Sequence, residues 1–227
     1  MRGGAGIWLD WDAQNSRVTG NLIYDISTVQ GAIFIEAAQA RNLVDNNVMW
    51  NIDGEGVRLA DSDDIVVAHN LFAHVSEEQI FAKVATDRDL NDRKLTSTGN
   101  QIVNNIFVDP GKPIASGDAS NFADNNIYVS TLTGITAARD AGPHSLATFG
   151  RPNFNKQKLS LSWSSNSHLP NVPLVNGCDR DFFGHLRTPA HNIPGPFLNL
   201  NAQGIQNLMR ENWKVPVNCD QLICSIN

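Results

Sequence analysis

The sequence has little of what marks several common classes of protein. It carries 17 Lys and Arg against 23 Asp and Glu, and the basic residues form no cluster, so neither nucleic acid nor a membrane surface is an expected partner. No apolar run reaches the roughly 18 residues that span a bilayer. The three cysteines include no Cys-x-x-Cys pair, which favours free thiols over a disulfide framework or a zinc site and leaves a Cys219–Cys224 disulfide as the alternative.

Charge of either sign is also low, at 18% of residues, whereas 41% are hydrophobic. A chain of this composition can bury a core and is not expected to be disordered. Its length of 227 residues fits one domain or at most two. The N-terminal residues lead directly into a patterned segment and show no signal peptide, so we expect a cytoplasmic protein.

One residue type is in excess, since asparagine occurs 26 times. A short unit recurs through the first half of the chain: an apolar residue, two variable residues, Asn and another apolar residue. The Asn residues of successive units are 26, 23, 35 and 21 residues apart, and they are Asn21, Asn47, Asn70, Asn105 and Asn126. Three of these spacings fit one coil of a parallel β-helix, and the longest predicts a coil with a loop inserted in residues 75–99.

This repeat predicts an all-β fold, a right-handed parallel β-helix with a loop-rich C-terminal extension. Asn tolerates the left-handed backbone of a tight turn, and its amide can bond to the Asn one coil above and one below, so the five Asn residues are expected to form an internal ladder. A β-sandwich with Asn-rich turns is the alternative. We assign residues 1–130 to the coils and 131–227 to loops and strands that close the solenoid, with a strand at 159–163 and a short helix at 202–212.

A second alignment places two carboxylates on one face. Short strands at residues 7–10, 33–36 and 57–60 precede three of the Asn units, with offsets of 26 and 24 residues. Because side chains alternate along a strand, the first and third residues of each segment point inward. One outward column then contains Trp8, Phe34 and Arg58, and the next contains Asp10, Glu36 and Ala60.

Asp10 and Glu36 would lie on adjacent strands, about 4.8 Å apart. A retaining glycosidase needs two carboxyl groups about 5–5.5 Å apart and an inverting one about 6.5–9.5 Å, so this pair fits the retaining mechanism. Trp8, Trp11 and Phe34 are near enough to offer flat apolar faces to a sugar ring. The alternative is that the two carboxylates are solvated surface groups without a catalytic role.

Other polar residues have less specific patterns. Arg58 would lie one coil from Glu36, as a surface ion pair, as a substrate contact or as the base of a polysaccharide lyase. The run Asp61–Asp64 is typical of a turn and lacks the spacing that would specify calcium. His74 begins the inserted loop and is a candidate substrate-binding residue, whereas His69 is expected on the solenoid surface. No His pair has the spacing of metal ligands, so no metal site is predicted.

The motifs Gly6-Ile7-Trp8-Leu9-Asp10-Trp11, Ile33-Phe34-Ile35-Glu36 and His69-Asn70-Leu71-Phe72-Ala73, together with Asp179–Gly184 and Pro194–Phe197, resemble segments of glycoside hydrolase family 120. That family consists of β-xylosidases on a right-handed parallel β-helix. The resemblance implies Asp10 as the nucleophile, Glu36 as the general acid/base, short xylo-oligosaccharides as substrates that release xylose, and no cofactor.

Members of that family are longer than this chain, so we expect it to be a C-terminal part of a larger glycosidase. The first coil would then show apolar residues and unpaired strand edges at its end, which terminal coils normally hide. We therefore expect a homo-oligomer in which a second copy covers that end, with a C-terminal segment of the same or another chain as the alternative cover. Two further functions stay open, a polysaccharide lyase and a carbohydrate-binding or structural β-helix without catalysis.

Overall fold

The computed structural model describes residues 3–109, 111–129, 152–163, 169–199 and 204–208, and in it the chain winds into five coils of three short strands. Equivalent strands of successive coils pair in parallel, which confirms the predicted parallel β-helix. The first sheet contains β1 (Ile7–Leu9), β4 (Ile33–Glu36), β7 (Val57–Ala60), β10 (Glu78–Lys83) and β15 (Lys112–Ser116). The second contains β2 (Arg17–Thr19), β5 (Asn42–Asp45), β8 (Ile65–Ala68), β13 (Gln101–Val103) and β16 (Phe122–Asp124). The third contains β3 (Leu22–Ser27), β6 (Val48–Asp53), β9 (Leu71–Val75), β14 (Ile106–Val108) and β17 (Ile127–Val129).

The core runs along the inside of the solenoid because alternate residues of each strand face inward. In the second sheet, Val18, Val44, Val67, Ile102 and Ala123 stack in register, one per coil, and all are buried. The inward residues predicted for the first sheet pack in the same cluster: Ile7, Leu9, Ile33, Ile35, Val57 and Leu59. A fully buried side chain of this kind contributes about 1.5–3 kcal/mol relative to an exposed one.

The predicted asparagine ladder is confirmed over all five coils. Each amide donates to the Oδ1 of the next Asn along the solenoid at 2.9–3.0 Å, from Asn21 through Asn47, Asn70 and Asn105 to Asn126. The same Oδ1 atoms also accept the backbone N–H of the preceding Asn. The ladder therefore pairs polar groups at a corner of the coil that is closed to water.

The residue before each ladder Asn adopts the left-handed backbone, with φ between 54° and 65°: Gly20, Asn46, His69, Asn104 and Asn125. His69 was predicted on the surface, and this prediction is wrong because the side chain is fully buried. Its Nε2 lies 3.1 Å from Nδ2 of Asn104, whose amide also reaches the carbonyl of Pro173 in the C-terminal extension. The extension thus covers a corner that the repeat alone presents to solvent.

The fourth coil is enlarged by a polar loop between its first and second strands. We expected the excess in residues 75–99, but residues 78–83 form β10, so the insertion itself covers 84–99. It contains a small antiparallel hairpin, β11 (Asp89–Leu90) and β12 (Arg93–Lys94). The insertion therefore leaves the coil at the end of a first-sheet strand, the same edge where Asp10 and Glu36 lie.

The described part of the extension packs on the outer faces of the second and third sheets. Its antiparallel strands are β18 (Asn153–Asn155), β19 (Ser160–Trp163) and β20 (Gly204–Asn207). Leu161, Trp163, Phe182 and Phe197 join the outward apolar residues of the third sheet in a second core cluster. The strand predicted at 159–163 is confirmed, whereas the helix predicted at 202–212 is wrong where it can be compared, because residues 204–207 pair with β19.

Two further observations concern the sequence expectations. Cys178 is a buried free thiol, and Cys219 and Cys224 lie outside the described residues. Across the described ranges, no helix has the length and hydropathy needed to cross a membrane.

Candidate active site

The strand register places Asp10, the residue after β1, beside Glu36, the last residue of β4. Leu9 pairs with Ile35, and the backbone hydrogen bonds Ile7 N to Ala32 O (3.0 Å) and Asp12 N to Ala37 O (3.1 Å) keep one offset on both sides of Asp10. The backbones of Asp10 and Glu36 therefore lie about one strand spacing apart, which is ~4.8 Å. Asp10 is exposed and Glu36 is half-buried, so the pair opens to solvent from one side.

An outward aromatic column runs beside the carboxylates. Trp8 and Phe34 stack with their ring centroids 5.5 Å apart and an interplanar angle of 26°. Phe34 is 4% exposed, whereas Trp8 is 47% exposed, so it is Trp8 that presents a ring to solvent. Both residues were predicted to contact a sugar. Only the Trp8 ring is open to a ligand, whereas Phe34 is buried and packs against the Trp8 ring.

Glu36 forms an ion pair that the sequence analysis did not predict. Nη2 of Arg88, from the inserted loop, lies 2.5 Å from Oε1 of Glu36 and 3.3 Å from Oδ2 of Asp61. Burial lowers the pKa of Arg88, but the hydrogen bonds to the two carboxylates outweigh it and leave that pKa above its ordinary value. The inserted loop thus folds back over the second coil and places a fixed positive charge beside the carboxylate pair.

Trp11 lies on the other side of the same guanidinium. Its backbone is left-handed, with φ of 39°, and the Cζ of Arg88 lies 5.2 Å from the centroid of its ring. Trp11 is 47% exposed, so part of the ring stays open to a ligand. Next to it, a polar cavity of about 170 Å³ separates the first two coils from the hairpin, lined by Asp12, Gln14, Gln39, Leu90, Asn91 and Arg93.

Arg58 lies further along the aromatic column and faces away from the carboxylate pair. Its Nη1 donates to both carboxylate oxygens of Glu55 at 2.7 and 2.8 Å, and its Cζ lies 4.3 Å from the ring centroid of Phe81 and 6.0 Å from that of Phe34. One oxygen from each of Glu55, Glu77 and Glu78 lies within 4.8 Å of the others, so these are the residues that could hold a cation. Burial raises the pKa of Glu55, and the ion pair with Arg58 offsets this only in part.

His74 is not brought to the site. It lies on β9 of the third sheet, where its ring meets Trp50 edge to face at 4.9 Å. Both line a separate cleft of about 570 Å³ between the third sheet and the extension. The prediction that His74 binds substrate beside Asp10 and Glu36 is therefore not supported, because the loop it was assigned to begins one strand later.

The sequence analysis missed Arg88 and the left-handed turn at Trp11. One signal was present for Arg88: the only oversized spacing between Asn units marks an insertion, and an insertion at a strand end lies at the edge of the neighbouring coils. Which of its basic residues turns back toward Glu36 depends on the fold of the hairpin, and no periodicity reports this. The buried Asp61, which we assigned to a turn, proves to anchor that loop.

Comparison with known proteins supports the β-helix fold. No curated protein and no solved structure matches the chain. A family model described as a right-handed β-helix region matches residues 2–128, which is more than half of the sequence and reaches into the last strand of the fifth coil. The β-helix fold occurs in glycosidases and polysaccharide lyases, and it is compatible with a carbohydrate-active enzyme. The chain belongs to the right-handed β-helix family.

Proposed function

We propose that the chain is a retaining glycoside hydrolase that releases xylose from short xylo-oligosaccharides. The observation that supports this proposal is the pairing of Leu9 with Ile35, which puts Asp10 and Glu36 at neighbouring positions on an open face of the solenoid. One strand spacing is close to the separation of the two carboxyl groups that the retaining mechanism uses. The substrate class comes from the resemblance to family 120 glycosidases. The protein needs no cofactor for this reaction.

Each carboxyl group has a separate task. The exposed carboxylate of Asp10 attacks the anomeric carbon and forms a covalent glycosyl-enzyme, while Glu36, in its acid form with the proton on Oε2, donates that proton to the departing glycosidic oxygen. Glu36 then takes a proton from water, which attacks the anomeric carbon and releases Asp10. The proton that Glu36 loses in the first step is thus regained in the second.

The surroundings of the pair suit a sugar ring. Trp8 and Trp11 flank Asp10 in sequence, and each keeps about half of its side chain exposed as an apolar surface for the C–H face of a sugar. The adjoining cavity offers the side chains of Gln14, Gln39 and Asn91 to hydroxyl groups. The partner is therefore an oligosaccharide, and we extend the proposal to a cytoplasmic homo-oligomer in which a second copy covers the first coil.

Hydrolysis of a panel of aryl glycosides tests the function. Asp10→Ala and Glu36→Ala should each lower kcat/KM on aryl β-xylosides with poor leaving groups by at least about 10²–10⁴-fold, the usual contribution of a positioned acid or base. Azide should restore turnover to Glu36→Ala when the leaving group is good. Asp64→Asn is the matched control, because Asp64 is an exposed carboxylate with φ of 56°, a conformation that Asn also adopts.

A mechanism-based 2-fluoro xyloside should leave a sugar on the peptide that contains Asp10. Normal rates in both variants, or a label on another carboxylate, would show that the pair is not catalytic. A rise in absorbance from unsaturated products would instead support a lyase, for which the Glu55, Glu77 and Glu78 cluster beside Arg58 is the supporting observation. Binding of xylo-oligosaccharides without turnover would support a carbohydrate-binding module.

A further inference from the structure

The guanidinium of Arg88 is held on several sides at once. Its Nε donates to Oγ1 of Thr86 at 2.8 Å, its Nη2 is shared between Glu36 and Asp61, and its Cζ lies 5.2 Å from the centroid of the Trp11 ring. A side chain with three carboxylate or hydroxyl acceptors and an aromatic neighbour has few rotamers left. Its position relative to Glu36 is therefore set by the protein before any substrate binds.

The anchor of this arrangement is Asp61. It is completely buried, and it accepts the backbone N–H of Ala85 (2.7 Å), the backbone N–H of Thr86 (3.1 Å) and the Thr86 hydroxyl (2.6 Å). Burial would raise the pKa of Asp61, but these hydrogen bonds and that from Arg88 outweigh it and lower the pKa. Asp61 is thus a fixed negative charge that ties the start of the inserted loop to the third coil.

Arg88 uses one oxygen of Glu36 and leaves the other. The ion pair is made with Oε1, and within the described ranges no hydrogen bond of the protein involves Oε2. We infer that Arg88 is a positioning residue for the hydrolase: by holding Oε1 it turns Oε2 toward the glycosidic oxygen of a sugar bound at Asp10. This inference rests on the proposed function, because it assigns Glu36 the proton transfer.

Lysine could not perform this task in the same way. Its ammonium group is a point charge on a flexible chain, whereas the guanidinium bonds Thr86 through Nε and the carboxylates through Nη2 in one plane. A carboxyl group that is free to rotate loses the alignment that proton transfer requires. Misplacement of a catalytic group by about 1 Å can cost about 10²-fold in rate.

The test compares kcat/KM over a series of aryl xylosides whose leaving groups differ in basicity. A basic leaving group depends on the proton from Glu36, whereas dinitrophenolate departs without it. Arg88→Gln should therefore lower kcat/KM by about 10–100-fold for the most basic leaving group and by less than about threefold for dinitrophenolate. Arg88→Lys should recover only part of the loss. Lys94→Gln is the control, because Lys94 is an exposed cation of the same hairpin that pairs with Asp87 and Asp89 instead of Glu36.

A double-mutant cycle separates positioning from a structural role. Adding Arg88→Gln to Glu36→Ala should cause no further loss that depends on the leaving group, because Arg88 affects the proton transfer only through Glu36. An effect that runs through the Trp11 ring would be equal across the series. Equal losses across the whole series, or an additive loss in the double variant, would overturn the inference while the proposed function stands. If Glu36→Ala itself shows no dependence on the leaving group, the proposed function fails first. Guanidinium ion added to Arg88→Ala should restore activity selectively on the basic leaving groups.

Discussion

Replacing Asn70 by Leu should be far more damaging than the same change at Asn21. Asn70 is at the centre of the ladder, where its Oδ1 accepts both the backbone N–H and the side-chain amide of Asn47 at 2.9 and 3.0 Å. Its Nδ2 donates to the carbonyl oxygens of Val44 and Ala68 and to Asn105. Leu has the same branched shape and side-chain length as Asn, with methyl groups in place of the amide, so the substitution removes all of these polar contacts.

The magnitude follows from counting what is left unpaired. Two donors of Asn47 lose their acceptor in the Asn70→Leu variant, and Asn47 is completely buried, so water cannot replace it. Each buried unsatisfied group costs about 1–3 kcal/mol, which gives a loss of about 2–6 kcal/mol in the free energy of unfolding. That is a large part of the about 5–15 kcal/mol by which a domain is usually stable.

Asn21 is the control because it begins the ladder and is half-buried. Its amide donates to Asn47 and Thr19, whereas no hydrogen bond within the described ranges ends on its Oδ1. Asn21→Leu therefore orphans no buried donor and should cost about 0.5–1.5 kcal/mol for each of the two hydrogen bonds that its amide donates. Urea denaturation of both variants measures the difference. If Asn70→Leu loses no more stability than Asn21→Leu, the ladder does not hold the coils together as we argue.

Three other substitutions or reagents, and one association measurement, test further parts of the structure. Burial and the nearby charge of Arg187 hold the pKa of His69 well below its ordinary value, so the free energy of unfolding should fall as the pH drops below about 6.5. Three other coils have Asn at the equivalent position, so His69→Asn should lessen that loss in acid denaturation curves. Burial raises the pKa of Cys178 to about 12, so a thiol reagent should modify it only after unfolding. A Cβ at Gly56 would lie 2.4 Å from the Gln79 carbonyl oxygen, so Gly56→Ala should lower the melting temperature by an amount equivalent to about 1–3 kcal/mol, whereas Gly111→Ala, with open space around it, should not. Light scattering over a concentration series should show a species larger than the monomer, and a mass that stays monomeric would contradict the proposed homo-oligomer.

The coils could be predicted because each imposes the same requirement on the sequence. A stacked corner needs an Asn every coil, and an inward strand needs apolar residues at alternate positions, so Asn47 and Val44 are both readable from spacing. A second ladder escaped notice, although its members stand five residues before ladder asparagines: Asn42, Asn100 and Asn121. Asn100 accepts the N–H of Ile65 and donates to the carbonyl of Ser62, as the first ladder does at its own corner. In the third coil the equivalent position, five residues before Asn70, holds Ile65 instead of Asn. This interruption obscures the period of the second ladder.

The carboxylate pair was predictable for the same reason, whereas its surroundings were not. The register of 26 residues places Asp10 over Glu36 without reference to any other part of the chain. The burial of His69 depends on an extension whose sequence carries no repeat, and the position of His74 depends on where the insertion begins. Contacts between segments that share no period cannot be read from spacing, because nothing local in either segment encodes the other.

The insertion also explains how a repetitive scaffold can acquire a single active site. Successive coils of the first sheet present equivalent outward positions, and by backbone geometry alone any two of them could hold stacked carboxylates. Only the fourth coil carries an insertion between its first and second strands, and that insertion is anchored on Asp61 of the third coil and reaches back to Glu36 of the second. Its Arg88 touches Trp11 of the first coil as well. The insertion thus joins four coils at one edge of the first sheet. It makes the position of Asp10 and Glu36 different from that of every other pair of neighbouring strands in this sheet. Replacing residues 88–94 by a short Gly linker should therefore leave the ladder and the coils intact, because Thr86 still holds Asp61 and the buried Leu95 stays in place. The same change removes Arg88, so kcat/KM should fall far more for basic leaving groups than for dinitrophenolate.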